Sequence, residues 1–170
     1  SFYSDMVHGG KYYTYIAKEL PLLMRSFFNI SDKREDNFIA GLSMGGYGAL
    51  KIGLKNPENY AAVASLSGVA DIIKRKETFA SALKAVYGEN IDIPETDDLF
   101  YLAKETDKCD VKPKIFMGVG TEDGLYPENV ELKKCFEGLS YDFTYKESYG
   151  GHSWLFWDEY IKYVIEWIKK

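Results

Sequence analysis

The chain has 170 residues, of which 46% are hydrophobic and 16% aromatic, a composition that suits one domain with a sizeable core and excludes disorder. Its formal net charge of −5 opposes binding along a phosphate backbone, and the one basic cluster, Lys74-Arg75-Lys76, is short and followed by Glu77, so nucleic acid is excluded as a partner. No apolar run approaches the roughly 20 residues of a membrane span and no charged-then-apolar segment opens the chain, which leaves no membrane partner and a cytoplasmic location as the expectation. Cys109 and Cys135 lack metal-like or redox-like spacing and are read as free thiols. The opening Ser1-Phe2-Tyr3 has no initiator methionine, so residue 1 is not expected to be the natural start.

In chain order, Tyr13, Ile16, Ala17, Leu20, Met24 and Phe27 recur at helical spacing, with Pro21 expected to bend that helix. A polar loop over 31–37 leads to Phe38–Leu42, whose apolar run predicts a strand buried on both faces. Tyr47, Leu50, Lys51 and Leu54 then predict a helix that ends at Asn56-Pro57, and Ala61 to Leu66 a second strand. Strand, helix and strand make one right-handed crossover unit and hence a parallel sheet. Two helices are predicted over 78–87 and 97–106. The segment 70–109 that holds them is long for a crossover and is expected to form a small cap-like insertion over the sheet's upper edge. Lys114 to Gly120 predicts a third strand, Asn129 to Leu139 a helix, Tyr141 to Glu147 a fourth strand and Trp154 to Ile168 a closing helix. The whole is a single α/β domain over 1–170, a mostly parallel sheet with helices on both faces.

Between the first strand and its helix stands Gly41-Leu42-Ser43-Met44-Gly45, the G-x-S-x-G of a nucleophile elbow. A Cβ at Gly41 or Gly45 is expected to crowd the crossing backbones, and the Met44 amide is the natural first donor to an oxyanion. A serine nucleophile needs a base, and the chain has only His8 and His152. His152 follows the fourth strand, and the order Ser, Asp, His is that of α/β hydrolases. The acid belongs on a loop leaving a parallel strand's carboxyl end, which favours Asp123. Its neighbour Glu122 is the alternative expected to be solvated, and Asp71 is the less favoured third. No metal-ligand spacing or phosphate-cradling loop occurs, so no metal and no cofactor is expected. Among the aromatics, Trp154 and Tyr47 are the candidates for substrate binding, while Phe156 and Trp157 open an amphipathic helix and are expected in the core.

Ser1-Phe2-Tyr3-Ser4-Asp5-Met6, Glu19-Leu20-Pro21, Asn37 through Ala49, Gly120-Thr121-Glu122-Asp123 and Gly150-Gly151-His152-Ser153-Trp154-Leu155-Phe156-Trp157 together resemble the esterase D-like putative esterases, in the branch of tributyrin esterases and acetyl-ester hydrolases. The resemblance implies an α/β-hydrolase fold with Ser43 as nucleophile, Asp123 as acid and His152 as base. It also implies a small-molecule or carbohydrate-linked ester of a short acyl chain as substrate. Members of that family begin with further strands and a His-Gly loop that supplies the second oxyanion donor, and this chain matches only the family's pattern beyond that loop. The strand 38–42 is therefore expected to be covered by an upstream segment or another polypeptide, and Tyr3, Asp5 and His8 to approach the site. The alternatives are a thioesterase of the S-formylglutathione type, a mycolyl-type acyltransferase and, from another class, a catalytically incompetent fragment that needs an upstream segment or partner.

Overall fold

A computed structural model describes residues 1–169. Four strands, β1 (Phe38–Leu42), β2 (Ala62–Leu66), β3 (Lys114–Gly120) and β4 (Phe143–Ser148), lie in that order in one sheet. All three pairings are parallel, with Ala40 opposite Ala64, Ala64 opposite Phe116 and Phe116 opposite Thr144. Helices α1 (Tyr12–Thr14) and α2 (Leu20–Phe27) precede the sheet, α3 (Met44–Lys55) joins β1 to β2, and α4 (Ala80–Tyr87) and α5 (Leu99–Asp107) lie between β2 and β3. Helix α6 (Tyr126–Glu137) joins β3 to β4 and α7 (Trp154–Ile168) closes the chain. The predicted third strand and last helix coincide with β3 and α7.

Strand alternation divides the core in two. Val63, Ile115 and Met117 face a larger cluster with Tyr47, Leu50 and Leu54 of α3, Leu83 and Val86 of α4, Leu99 and Leu102 of α5, and Leu132 and Phe136 of α6. Ala64, Leu66 and Phe116 face the other way, onto Phe156, Trp157, Tyr160 and Val164 of α7. Just before Pro21, where a bend is expected, a π-helical segment, Tyr15–Glu19, joins α1 to α2. Pro21 has no N–H to give the carbonyl of Ala17, and the wider register precedes it directly. No residue of this helical stretch is buried, and Phe27 is 69% exposed.

Strand β1 is not buried on both faces either: Phe38 is 41% exposed and Ala40 is open to solvent. As the outer strand it has a neighbour on one side only, whereas β2 is buried along its whole length. A groove lined by Ile16, Ile39, Leu42, Ala49 and Ile52 runs along its free side.

One polar knot lies inside the larger core. Lys51, 1% exposed, donates to Asp97 Oδ1 (2.8 Å) and Ser4 Oγ (2.6 Å). Ser4 and Tyr87 donate to Asp97 Oδ2 at 2.9 and 2.7 Å, and the Tyr47 hydroxyl donates to the Asp97 carbonyl at 2.7 Å. Burial pulls Lys51 down to about 8 against the opposing pull of Asp97. Burial alone would raise Asp97, yet Lys51 holds its carboxyl below the usual range. The knot ties the first residues and the approach to α5 onto α3. Lys51→Met, by stranding Asp97, is expected to lower the unfolding free energy by about 3–5 kcal/mol in urea titrations. A loss below about 1 kcal/mol, the scale of a surface pair, would mean that Lys55, 3.6 Å from Asp97, suffices.

Candidate active site

Parallel strands deliver their carboxyl ends to one rim, and the three segments named from the sequence meet there. Ser43 connects β1 to α3 with φ 54° and ψ −123°, a backbone conformation that non-glycine residues rarely adopt. Main-chain bonds to the exit of β2 hold it: Ser43 N–H donates to Leu66 O (2.8 Å), and Val69 N–H donates to Ser43 O (3.3 Å). The turn closes so tightly that a Cβ on Gly41 would stand 2.1 Å from the carbonyl oxygen of Gly45. Crowding expected at Gly45 itself is absent, because a Cβ there would meet only the Tyr3 hydroxyl at 3.5 Å. What Gly41 must avoid is the Gly45 backbone, and the space on the other side of Gly45 is open.

Asp123 follows β3 with its side chain fully shielded, and Leu125 N–H donates to its Oδ1 at 2.8 Å. That leaves Oδ2 for His152 Nδ1, 2.9 Å away. A carboxylate only accepts, so Nδ1 carries the proton and Nε2 turns its lone pair to Ser43 Oγ at 2.8 Å. The Asp123 and His152 loops are joined by main chain as well. Thr121 N–H donates to Ser148 O (3.0 Å) and Glu122 N–H to Gly150 O (2.9 Å). The two loops cross so closely that a Cβ on Gly120 would lie 2.1 Å from the Gly150 carbonyl oxygen.

The remaining candidates separate cleanly. Glu122 is exposed, and Asp71 accepts from Lys74 N–H at 2.8 Å, away from His152. His8 is exposed beside α4, where its N–H donates to Ala85 O, and Asp5 is engaged by Thr14. Tyr3 alone of the opening segment reaches the elbow, lying against Gly45 and Gly48. Tyr47 is not a pocket residue: it is fully buried, and its hydroxyl is spent on Asp97. At position 47 it sits one helical turn beyond Ser43, on the side of α3 that faces the core. Trp154 is 67% exposed and meets Trp157 edge to face at 5.4 Å. Trp157 in turn meets the His152 ring edge to face at 4.8 Å, a contact that the expectation of a plain core residue missed. Met44 opens α3, where a first-turn N–H has no intrahelical acceptor. Among the described residues no group of three or more His, Cys, Asp or Glu is placed to hold a metal ion, and no helix is long and apolar enough to cross a membrane.

The four parallel strands, the flanking helices and the strained serine turn define an α/β-hydrolase fold. Residues 7–163 match the family described as Putative esterase. The chain is 36% identical over 183 aligned positions to an acetyl esterase of Caldicellulosiruptor saccharolyticus, covering all of this chain and 68% of that one. Two solved structures from Staphylococcus aureus are similar over the whole chain and 68% of their own length. They are the fluorophosphonate-binding serine hydrolase F (TM-score 0.85, 28% identity) and the S-formylglutathione hydrolase FrmB (TM-score 0.86, 29% identity). The chain belongs to the putative esterase family.

The elbow makes an asymmetric forecast about its two glycines. Gly41→Ala is expected to cost about 1–3 kcal/mol or more of stability through overpacking against the backbone. Gly45→Ala is expected to hold its stability or gain up to about 1 kcal/mol. Thermal melts of the two variants check the difference, and equal losses would contradict it.

Proposed function

We propose that this chain is a serine carboxylic-ester hydrolase that cleaves short-chain acyl esters of small molecules or carbohydrates through an acyl-enzyme. The observation that carries the reading is the position of His152, bonded to Ser43 on one nitrogen and to Asp123 on the other. Ser43 Oγ attacks the ester carbonyl as its proton passes to His152 Nε2, and Asp123 stabilises the imidazolium. Met44 N–H and the positive end of α3 receive the charge on the carbonyl oxygen. The tetrahedral species collapses, His152 returns the proton to the departing alkoxide, and an alcohol leaves. Water then attacks the acyl-Ser43 ester with His152 as base, and the acid product departs as Ser43 regains its proton. Trp154, exposed beside the base, lines the approach for the acyl or alcohol group. A second oxyanion amide comes, in this reading, from polypeptide lying across the open edge of β1.

Similarity to an acetyl esterase supports the short acyl group. Similarity to an S-formylglutathione hydrolase favours one second reading, a thioester in place of the oxygen ester. Matched S-acyl and O-acyl substrates of the same acyl group separate the two.

The experiment is labelling with a fluorophosphonate alongside hydrolysis of 4-nitrophenyl acetate. Ser43→Ala is expected to lose both signals, and Asp123→Asn to lower turnover on the order of 10⁴-fold while the fold persists. Labelling that persists in Ser43→Ala would overturn the assignment, and a wild-type chain that neither labels nor hydrolyses would favour the incompetent fragment.

A further inference from the structure

Three segments must be kept in register for the proposed proton relay; main-chain bonds tie two of the links loop to loop, whereas the exit of β2 is bonded to β3 upstream of the acid loop, Ser67 N–H donating to Gly118 O at 2.7 Å. The elbow is tied to the exit of β2 through Leu66 and Val69, and the acid loop to the base loop through Thr121 and Glu122. Between the exit of β2 and the acid loop the connection is made by side chains from the first turn of α6. Asn129, 1% exposed, donates through Nδ2 to Gly68 O and to Leu125 O, both at 2.8 Å. Gly68 immediately precedes the Val69 that holds the Ser43 carbonyl, and Leu125 supplies the N–H that fixes Asp123 Oδ1. Glu128, 6% exposed, works beside it. Its Oε1 accepts from Ala70 N–H (2.9 Å) and its Oε2 from Arg75 Nε (2.7 Å), while Arg75 also donates to Gly124 O (3.2 Å).

We propose that Asn129 is a positioning residue for the Ser43, His152 and Asp123 relay, bridging the turn that holds the nucleophile to the loop that carries the acid. The proposal rests on the esterase reading above. Both neighbours of the Asn129 amide are carbonyl oxygens, so its NH2 must face them. Its Oδ1 is left buried with no hydrogen-bond partner among the described residues. An unpaired buried acceptor is unfavourable for stability, and an apolar side chain of similar size, such as leucine, has none. What leucine lacks is the ability to hold two carbonyl groups, one on each side of the relay. A shift of even 1 Å between reacting groups costs orders of magnitude in rate, so the bridge has a function that stability alone does not explain.

Asn129→Leu is compared with Thr106→Val, which removes a different buried hydrogen bond, Thr106 Oγ1 to Leu54 O at 2.7 Å, at the C-terminal end of α3. The first readout needs no turnover: the low-field NMR proton on His152 Nδ1, assigned by its loss in His152→Ala. Asn129→Leu is expected to shift or broaden that resonance, and to lower kcat about 10–100-fold with KM within about twofold. Thr106→Val should lower the melting temperature and leave all of these unchanged. If Asn129→Leu melts lower but keeps the resonance, kcat and KM of the wild type, the proposal is overturned. Should the leucine variant not fold, Asn129→Ser, which is too short to reach Gly68, is held to the same outcomes. Failure of the underlying reading looks different: hydrolysis would survive Ser43→Ala while the His152 resonance still answered to position 129.

Discussion

Everything at the rim depends on one crossing of main chain, where the turn into α3 passes over the end of β1. Gly41 and the Gly45 carbonyl approach so closely that no side chain fits between them, and Ser43 is left at φ 54° to complete the turn. A conformation of that kind costs on the order of 1–3 kcal/mol. It persists because both ends of the Ser43 peptide are bonded to the exit of β2, a strand buried along its whole length. The strain has a geometric product: the hydroxyl stands clear of the sheet, at the N-terminus of a helix, with its first N–H groups unspent.

The other two members of the proposed relay are held differently. Asp123 and His152 stand on loops that leave neighbouring parallel strands, so the register of β3 with β4, Gly120 opposite Ser148, already brings them together. Two main-chain bonds and the Gly120–Gly150 crossing then lock loop to loop. On the same face as α3, the buried Lys51 and Asp97 knot holds Ser4 and so keeps its neighbour Tyr3 against Gly45 and Gly48. A charge pair without contact to the relay thus governs what lies beside the elbow.

Much of this was legible in the chain because it is local. The G-x-S-x-G turn, the three strand ends and the order of serine, acid and base are each written within a few residues, and they converge at 2.8 and 2.9 Å. What depends on distant partners was not. The run Phe38–Leu42 is as apolar as a central strand, and nothing within five residues tells how many neighbours a strand has. Tyr47 follows the elbow closely in sequence, yet the helix turns it inward toward Asp97, a partner 50 positions away. Lys51 did carry a signal, since a lysine inside an apolar helical stripe calls for a buried anion, but that anion is 46 residues further on. The apolar spacing starts this helix at Asn129, whereas α6 begins at Tyr126, with Pro127 marking its first turn. That misplacement hid the fact that Glu128 and Asn129 face the exit of β2.

The arrangement also separates two tasks that a hydrolase has to perform together. The proposed relay draws on β1, β3 and β4 and the turn that leaves β2, all of which lie at or to one side of the strand that carries Ser43. Stabilising the oxyanion requires donors around the carbonyl oxygen, and α3 supplies one such amide with the favourable end of its dipole. The opposite side of β1 is an open edge flanked by an apolar groove, and unpaired edge groups of this kind invite another strand. For the proposed hydrolysis, the proton relay is set by contacts already within these residues, whereas the second oxyanion donor is left to the side of that edge. The two are coupled only through β1, which is itself pinned from the β2 side alone.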